Sequence, residues 1–203
     1  MIEVTVYDVI VRVPKGEEVT WPGDKKDAHK FVAAGAWVIL LKEQTGDRIL
    51  PIWVGITEGA LIAMQLDEVS TPRPMTLDLM ARLLEVAGNT VEKVAVARLH
   101  ENVYYATLWL NVDGRVHEVD ARPSDAIHLA LRVKAPIFVT SELMEQAGPF
   151  LLTPGDVVAG LEALHRQGIE EKRIAAEEIE LEYRSFRSLP RGDGGGVLKP
   201  AEK

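Results

Sequence analysis

The sequence predicts an α+β fold, in which a mixed or antiparallel sheet packs against helices. Three observations predict this class. Stretches in which every second residue is apolar, typical of strands with one buried face, recur along the chain. Stretches with apolar residues at helical spacing lie between them. The pair Asp113-Gly114 separates two alternating stretches, as in a tight antiparallel hairpin. The 203 residues suffice for one good-sized core, or for one domain with a small appendage.

The first half of the chain is predicted to hold three strands and two helices. The strands are expected at residues 2–13, 36–42 and 48–54, with a long polar loop at 14–31. The helices are expected at residues 57–68 and 76–86. Thr57 and Thr76 are the predicted N-caps, because a threonine side chain can accept a hydrogen bond from a free backbone N–H of the first turn.

The second half is predicted to hold four further strands, one long helix and a helical extension. The strands are expected at residues 91–100, 102–112, 115–121 and 136–139, and the helix at 123–134. Ser141 and Thr153-Pro154 are expected to open shorter helices, and the charged stretch 169–186 is expected to be helical. The predicted organisation is a domain at 1–147, a helical extension at 148–187 and a disordered tail at 188–203.

A weak internal repeat is visible at an offset of 67 residues. The aligned pairs include Ile52 with Val119, Glu58 with Asp125 and Ala63 with Ala130. Each copy resembles a hairpin that leads into a helix with a carboxylate in its first turn, which suggests a duplicated β-β-α unit. A chance alignment is the alternative, because few residues are identical. A true duplication would give Glu58 and Asp125 equivalent positions.

The composition narrows the possible function classes. The chain has no cysteine, which excludes disulfides, thiolate metal sites and a cysteine nucleophile. Its net charge of −8 is unlike the basic footprint of most nucleic-acid-binding proteins, so an acidic chain that handles nucleic acid would need divalent metal ions to bridge its carboxylates to phosphate. The chain has neither a membrane-spanning stretch nor a signal-peptide pattern, so we expect a cytoplasmic protein without membrane partners.

The most informative motif lies where a predicted strand becomes a helix. Within six residues it holds two carboxylates, a guanidinium and a hydroxyl, from Asp120, Arg122, Ser124 and Asp125. Loops between rigid elements are common places for binding and catalytic residues. A structural role is the alternative. Pro123 suits a first helical turn, Ser124 and Asp125 suit the positive end of the helix dipole, and the arginine could pair with either aspartate.

Four segments, taken in order and spacing, resemble the bifunctional nuclease domain family. They are Leu-Pro-Ile-Trp-Val-Gly at 50–55 with Glu58, Arg-Pro-Met-Thr-Leu-Asp-Leu at 73–79, Asp-Ala-Arg-Pro-Ser-Asp-Ala-Ile at 120–127, and Ala-Pro-Ile-Phe-Val at 135–139. The resemblance covers about residues 2–147. It implies an α+β fold, a homo-oligomer, most simply a dimer, and nuclease activity on RNA and DNA as described for plant members. The chain departs from the family at 14–31, which is longer than usual, and at 150–203, which has no recognised counterpart.

The resemblance and the clustered carboxylates together predict a metal-dependent nuclease with little sequence preference. Carboxylates that hold Mg²⁺ or Mn²⁺ can activate water and neutralise charge at the phosphate. The predicted metal ligands are Asp120, Asp125, Glu58 and Asp78. The predicted catalytic residues are Asp120, Asp125, Glu58 and His128, the last as a general base. The predicted phosphate-binding residues are Arg122, Arg73 and Ser124.

Each of these residues also has a structural interpretation. Asp78 can stabilise the first turn of a helix, Arg73 can serve in an ion pair, and His128 can be a half-buried interface residue. The second hypothesis is therefore a non-catalytic, oligomeric ligand-binding or regulatory module. An Arg122 that spans carboxylates under cover would favour that hypothesis. Carboxylates gathered within about 5 Å around a cleft would favour a metal site.

Overall fold

The structure is a computed structural model that describes residues 1–15, 37–69, 71–101, 103–146, 157, 159–163 and 181–189. All structural statements below concern these residues. The predicted loop at 14–31 and the predicted tail at 188–203 lie almost entirely outside them. No helix in these ranges has the length and apolar character needed to cross a membrane.

A single mixed sheet of eight strands forms the centre of the fold. The strands are β1 (Ile2–Pro14), β2 (Trp37–Glu43), β3 (Ile49–Val54), β4 (Thr90–His100), β5 (Val103–Val112), β6 (Arg115–Ala121), β7 (Ile137–Val139) and β8 (Leu181–Ser185). Their order is β3-β2-β1-β7-β4-β5-β6, and β8 pairs with the end of β1. The pairing of β4 with β7 is parallel, and the other pairings are antiparallel.

Four α-helices accompany the sheet, which confirms the predicted α+β class. They are α1 (Ile56–Leu66), α2 (Thr76–Val86), α3 (Pro123–Val133) and α4 (Ser141–Gln146). Residues 159–163 are also helical, and a short 3-10 turn follows β8 at Phe186–Ser188. The helix that was predicted from Pro123 is confirmed, and Lys134 ends it in a left-handed conformation with φ of 58°.

The main core lies between the sheet and the face of α1 and α3. It includes Ile39 and Ile52 from the strands, with Ile62 and Ile127 from the helices. Because strand side chains alternate between faces, the neighbouring Val38 and Leu40 of β2 point to the other side of the sheet. There they form a second core with Val157, Leu161 and Tyr183. One half of the sheet is therefore covered on both faces.

Helix α1 lies very close to β2 because Gly59, the helix residue that faces Trp37 of β2, has no side chain. A Cβ atom on Gly59 would stand 2.7 Å from the Cβ of Trp37, whose side chain is fully buried. The Trp37 ring in turn packs against Phe186, with 5.7 Å between ring centroids. Glycine is therefore required at position 59 by packing rather than by backbone conformation.

The sheet is strongly curved. Tyr104 of β5 donates a hydrogen bond of 3.4 Å from its hydroxyl to the backbone oxygen of Pro51 in β3, although four strands separate β3 from β5 in the sheet order. Burial raises the pKa of Tyr104 to about 12, so the hydroxyl keeps its proton at neutral pH. This bond ties the two halves of the sheet together.

Two of the predicted details are wrong. Residues 181–185, predicted as part of a charged helix, form β8, because the open flank of β1 at Ile10–Pro14 supplies backbone partners for them. The N-caps of α1 and α2 are Gly55 and Met75, not Thr57 and Thr76. Helix α1 begins one residue before Thr57, and α2 begins at Thr76 itself. The helical extension, the domain boundaries and the duplicated unit stay predictions.

Candidate functional site

Arg122 joins the first turns of α1 and α3. It is the N-cap of α3, and Pro123 follows it at the start of the helix, where the missing N–H of proline is tolerated. Its Nε and Nη2 atoms donate to the two carboxylate oxygens of Asp125 at 2.7 and 3.0 Å. Its Nη1 atom donates to Oε1 of Glu58 at 2.9 Å. We call these three residues the Arg122 cluster.

The cluster is open to solvent. The side chain of Arg122 is 65% exposed, against 41% for Asp125 and 26% for Glu58. Hydrogen bonding to Asp125, and then to Glu58, raises the pKa of the Arg122 guanidinium above its ordinary value. The guanidinium has five N–H donors, and the bonds above use three of them. Its outer edge is therefore placed to meet an anion.

The first turns of α1 and α3 lie side by side because the two helices are parallel. Arg122 links their N-terminal ends, and Arg132 near the end of α3 donates from Nη1 to Oε1 of Gln65 near the end of α1 at 2.8 Å. Unpaired backbone N–H groups give each helix N-terminus a partial positive charge. Two such termini and a guanidinium therefore point in one direction and attract anions, whereas Glu58 and Asp125 give the three side chains of the cluster a formal net charge of −1.

Gly55 allows Glu58 to reach the cluster. A Cβ atom at Gly55 would stand 2.4 Å from Oε2 of Glu58, so the glutamate side chain folds back over the glycine that caps α1. The backbone of Gly55 has φ of −68°, a conformation that any residue adopts. The glycine is thus needed for space beside the carboxylate, which sequence reasoning did not single out.

Asp78 lies apart from the Arg122 cluster and has two bonds of its own. Its Oδ2 atom accepts a hydrogen bond of 2.9 Å from the backbone N–H of Met75, the N-cap of α2. Its Oδ1 atom lies 2.6 Å from Nε of Arg132. These contacts match the structural interpretation of Asp78, because they stabilise the start of α2 and attach α2 to α3.

The structure does not bring Asp120 into the Arg122 cluster. In the register of β5 and β6, Asp120 stands opposite Thr107, whereas the neighbouring Ala121 stands opposite Ala106 of the main core. Since alternate side chains point to opposite faces, Asp120 lies on the face away from α3. Ser124 is buried in the first turn of α3, and Arg73 lies in the exposed connector before α2.

His128 lies one helical turn after Asp125 and lines a cavity of about 650 Å³ between α1, α2 and α3. Its side chain is 6% exposed. Burial lowers the pKa of the imidazole below its ordinary value of 6.5, and the Asp78 carboxylate opposes this effect only in part. The imidazole is therefore neutral at neutral pH. The cavity was not predicted from the sequence, because it depends on how α2 packs beside α1 and α3.

The described residues contain no group of three His, Asp or Glu side chains arranged to hold a metal ion. Glu58 and Asp125 bind the Arg122 guanidinium, and Asp78 binds Arg132. A divalent cation at the cluster would have to replace a guanidinium that both carboxylates already contact. The residues present, as they are arranged, do not fit a divalent metal ion.

Comparisons with known proteins give one family. A family model described as the bifunctional nuclease domain matches residues 39–151. An uncharacterized protein of Mycobacterium tuberculosis strain H37Rv is 43% identical over 119 residues, which are 59% of this chain and 70% of that protein.

Plant proteins match the same part of the chain at lower identity. "Bifunctional nuclease 1" of Oryza sativa subsp. indica is 30% identical over 120 residues, or 58% of this chain and 36% of the plant protein. "Bifunctional nuclease 2" of Arabidopsis thaliana is 32% identical over 129 residues, which are 62% of this chain and 39% of that plant protein. The chain thus spans little more than a third of the length of these plant relatives.

Proposed function

Because the chain belongs to the bifunctional nuclease domain family, we propose that it cleaves phosphodiester bonds of RNA or DNA at the Arg122 cluster. The observation that carries this proposal is an exposed guanidinium, held by two carboxylates, at the N-terminal ends of two parallel helices. This arrangement offers a phosphate a charged, bidentate partner and two helix termini. The contacts are to the backbone phosphate, which accounts for little sequence preference.

Within this proposal, the two carboxylates have different roles. Both oxygens of Asp125 accept hydrogen bonds from Arg122, so Asp125 positions the guanidinium. Glu58 uses Oε1 for Arg122, and its Oε2 is left to accept a proton from a water molecule that attacks the phosphorus. Glu58 is therefore the proposed general base, and Arg122 stabilises the charge that develops on the phosphate oxygens. As the water oxygen bonds to phosphorus, the P–O bond to one sugar oxygen breaks, and that leaving oxygen takes a proton from solvent or from the protonated Glu58.

The remaining predicted roles stay predictions. Arg73 is proposed as a second phosphate contact, since its connector is exposed. Among the described residues, no hydrogen bond or ion pair joins His128, Asp120 or Ser124 to the cluster, although the charge of Asp125 acts on His128. Metal dependence stays a prediction for which the described carboxylates, as arranged, supply no ligand set, and the cytoplasmic compartment also stays a prediction. The homo-oligomer, most simply a dimer, also stays a prediction, which sedimentation of the purified chain would test.

The second hypothesis, a non-catalytic ligand-binding or regulatory module, has one observation in its favour. Arg122 spans two carboxylates, as expected for a structural ion pair. However, the second carboxylate belongs to Glu58 rather than Asp120, and the guanidinium is exposed rather than covered. An exposed ion pair contributes little to stability, on the order of 1 kcal/mol or less, so stability alone is a weak reason for this arrangement.

The test is cleavage of labelled single-stranded RNA and DNA by the purified chain, with Mg²⁺, Mn²⁺ or EDTA present. We expect Arg122→Ala and Glu58→Gln to lose cleavage. Arg115→Ala is the matched control, since it removes an exposed arginine from the start of β6 and should cleave normally. Cleavage that survives in Arg122→Ala would contradict the proposal. No cleavage by the folded parent under any of these conditions would favour the second hypothesis.

A further inference from the structure

The cavity between α1, α2 and α3 is partly open to solvent and has the size of a small-molecule site. Its volume of about 650 Å³ lies within the range that such sites occupy. Leu61 and Met64 of α1 and Leu79 of α2 supply apolar walls, and Gln65, His128 and Arg132 supply polar groups. Methionine and leucine walls adapt well to a flat ring.

His128 is the observation that points to a ligand. It is more than nine-tenths buried, yet no hydrogen bond joins its ring to any residue that the structure describes. The ring nitrogens of His128 are unpartnered but not fully enclosed among the described residues. The polar edge of the ring therefore faces the cavity. These nitrogens are open to the cavity and free of partners among these residues, so a ligand in the cavity can bond to them without breaking an existing hydrogen bond.

The lining favours an uncharged ligand with polar edges. Asp78 and Glu68 balance Arg82 and Arg132, so the lining side chains carry no net charge when His128 is neutral. Arg132 is already paired with Asp78, and Arg82 with Glu85. A purely apolar ligand would leave the His128 ring without a partner. A flat heterocycle with donors and acceptors on its edge satisfies both the walls and the imidazole, which carries one donor and one acceptor.

The cavity begins close to the Arg122 cluster. Asp125 and His128 are three residues apart on α3, which is a rise of about 4.5 Å along the helix. Arg132 follows on the same face, so Asp125, His128 and Arg132 form one line from the cluster into the cavity. A nucleotide carries a phosphate and a flat heterocycle at opposite ends of a sugar, and the two sites are arranged in the same way.

We propose that this cavity receives one unpaired nucleobase of a nucleic-acid strand whose phosphate lies on Arg122. The statement about the phosphate rests on the proposed function, whereas the base-binding cavity stands without it. An imidazole with one donor and one acceptor can bond to the edge of any base, which agrees with little sequence preference. A base within a duplex is stacked and paired, so the preferred substrate is single-stranded.

The cavity is tested by binding of small molecules to the full chain, without any cleavage. Adenosine and uridine are titrated while the ring signals of His128 are followed by NMR, and the His128→Asn variant identifies those signals. Ribose 5-phosphate, which has no base, and cyclohexanol, an apolar probe, are titrated in parallel. We expect both nucleosides to shift the His128 signals and the other two molecules to leave them unchanged. Shifts from cyclohexanol but not from nucleosides would overturn the inference.

A cavity-filling variant makes the test independent of His128 itself. Leu79 is exposed and lies at the cavity, so Leu79→Trp adds bulk there without disturbing the core, and we expect it to lose nucleoside binding. Leu83→Trp, one turn further along α2 and outside the lining, is the control that should bind normally. Equal nucleoside binding by both variants would contradict the proposed cavity.

The cavity and the nuclease proposal can fail separately. If the chain binds nucleosides but cleaves no nucleic acid, the cavity stands and the proposed function fails. If the chain cleaves single and double strands at equal rates and binds no nucleoside, the nuclease proposal stands and the cavity inference fails.

Discussion

Gln65 and Arg132 are 67 residues apart in the chain and hydrogen-bonded in the fold, with 2.8 Å between Oε1 and Nη1. The same offset relates Glu58 to Asp125, which both bind Arg122. Helices α1 and α3, each of 11 residues, also begin and end at positions 67 residues apart. Residues at equivalent positions along the two helices therefore meet at both ends, which shows that the helices run parallel with their first turns in one site.

Two glycine substitutions should separate activity from stability. In Gly55→Ala, the new methyl group occupies the space of the Glu58 carboxylate, so Glu58 should leave Arg122 and cleavage should fall as it does in Glu58→Gln. The backbone at Gly55 tolerates alanine, but alanine is a poorer N-cap than glycine, so we expect a loss of about 1 kcal/mol in the free energy of unfolding. Activity assays and urea unfolding on the same samples measure both quantities.

Gly114→Ala is the control, with a similar expected loss of stability but normal cleavage. Gly114 has φ of +78° in the β5–β6 turn, where alanine is strained, and no atom lies within 4 Å of the Cβ position. We expect a loss of about 1 kcal/mol of stability and normal cleavage. A Gly55→Ala variant that cleaves as well as Gly114→Ala would show that the Glu58 contact is not needed.

The packing of α1 against β2 should not tolerate a side chain at position 59. Alanine is the better helix former by about 1 kcal/mol, but its methyl group would overlap Trp37. Overpacking of a rigid core costs about 1–3 kcal/mol, so Gly59→Ala should be net destabilising. Urea unfolding measures this directly, and an unchanged midpoint would mean that Trp37 can move aside.

Loss of Asp78 should destabilise the attachment of α2. Asp78→Ala removes both the bond to the N-cap of α2 and the ion pair with the half-exposed Arg132, so we expect a loss of about 1–2 kcal/mol. Asp78→Asn keeps an acceptor for the Met75 N–H and should lose less. Arg82→Ala breaks an exposed pair with Glu85 and should change stability by well under 1 kcal/mol. Equal losses in all three variants would contradict this explanation.

His128 should make stability depend on pH. Burial holds its pKa in the folded chain below the ordinary value, so the unfolded chain binds a proton more readily as the pH falls. The stabilisation is therefore complete above about pH 6.5 and is lost as the pH falls through the lowered pKa. The facing carboxylates of Asp78 and Asp125 weaken this effect, and Arg132 strengthens it.

The measurement is the free energy of unfolding of the parent and of His128→Gln at about pH 7.5 and about pH 5. We expect the parent to lose more stability than the variant between these conditions, because only the parent carries the titrating imidazole. Parallel losses in the two proteins would show that other groups cause the pH dependence.

Local patterns in the sequence were enough for much of the fold. The Asp113-Gly114 turn is confirmed, with φ of 50° and 78°, because these residues accept left-handed conformations at low cost. The start of α3 was predictable from Pro123 for a similarly local reason. Strand β8 was not predictable from local patterns. The charges of residues 181–185 suit a helix, and only the free flank of β1 selects a strand.

The candidate site was predictable in part. The motif around Arg122 was singled out, and its pairing with Asp125 follows from a separation of three residues on one helix. The bond from Arg122 to Glu58 joins residues 64 positions apart, so it depends on how α1 and α3 pack. Asp120 was grouped with Asp125 because they are close in sequence, but strand alternation places them on opposite sides of the sheet.

The position of β1 has a consequence for how this chain folds during synthesis. One flank of β1 pairs with the neighbouring β2, but the other flank pairs with Ile137–Val139 and Leu181–Ser185, so this second flank stays open until residues far along the chain are made. Contacts between such distant residues slow folding, and unpaired strand edges in a nascent chain favour aggregation. A chain cut after residue 147 would leave the backbone of Ile10–Pro14 without its partner strand, so we expect such a fragment to associate through this edge rather than remain dispersed.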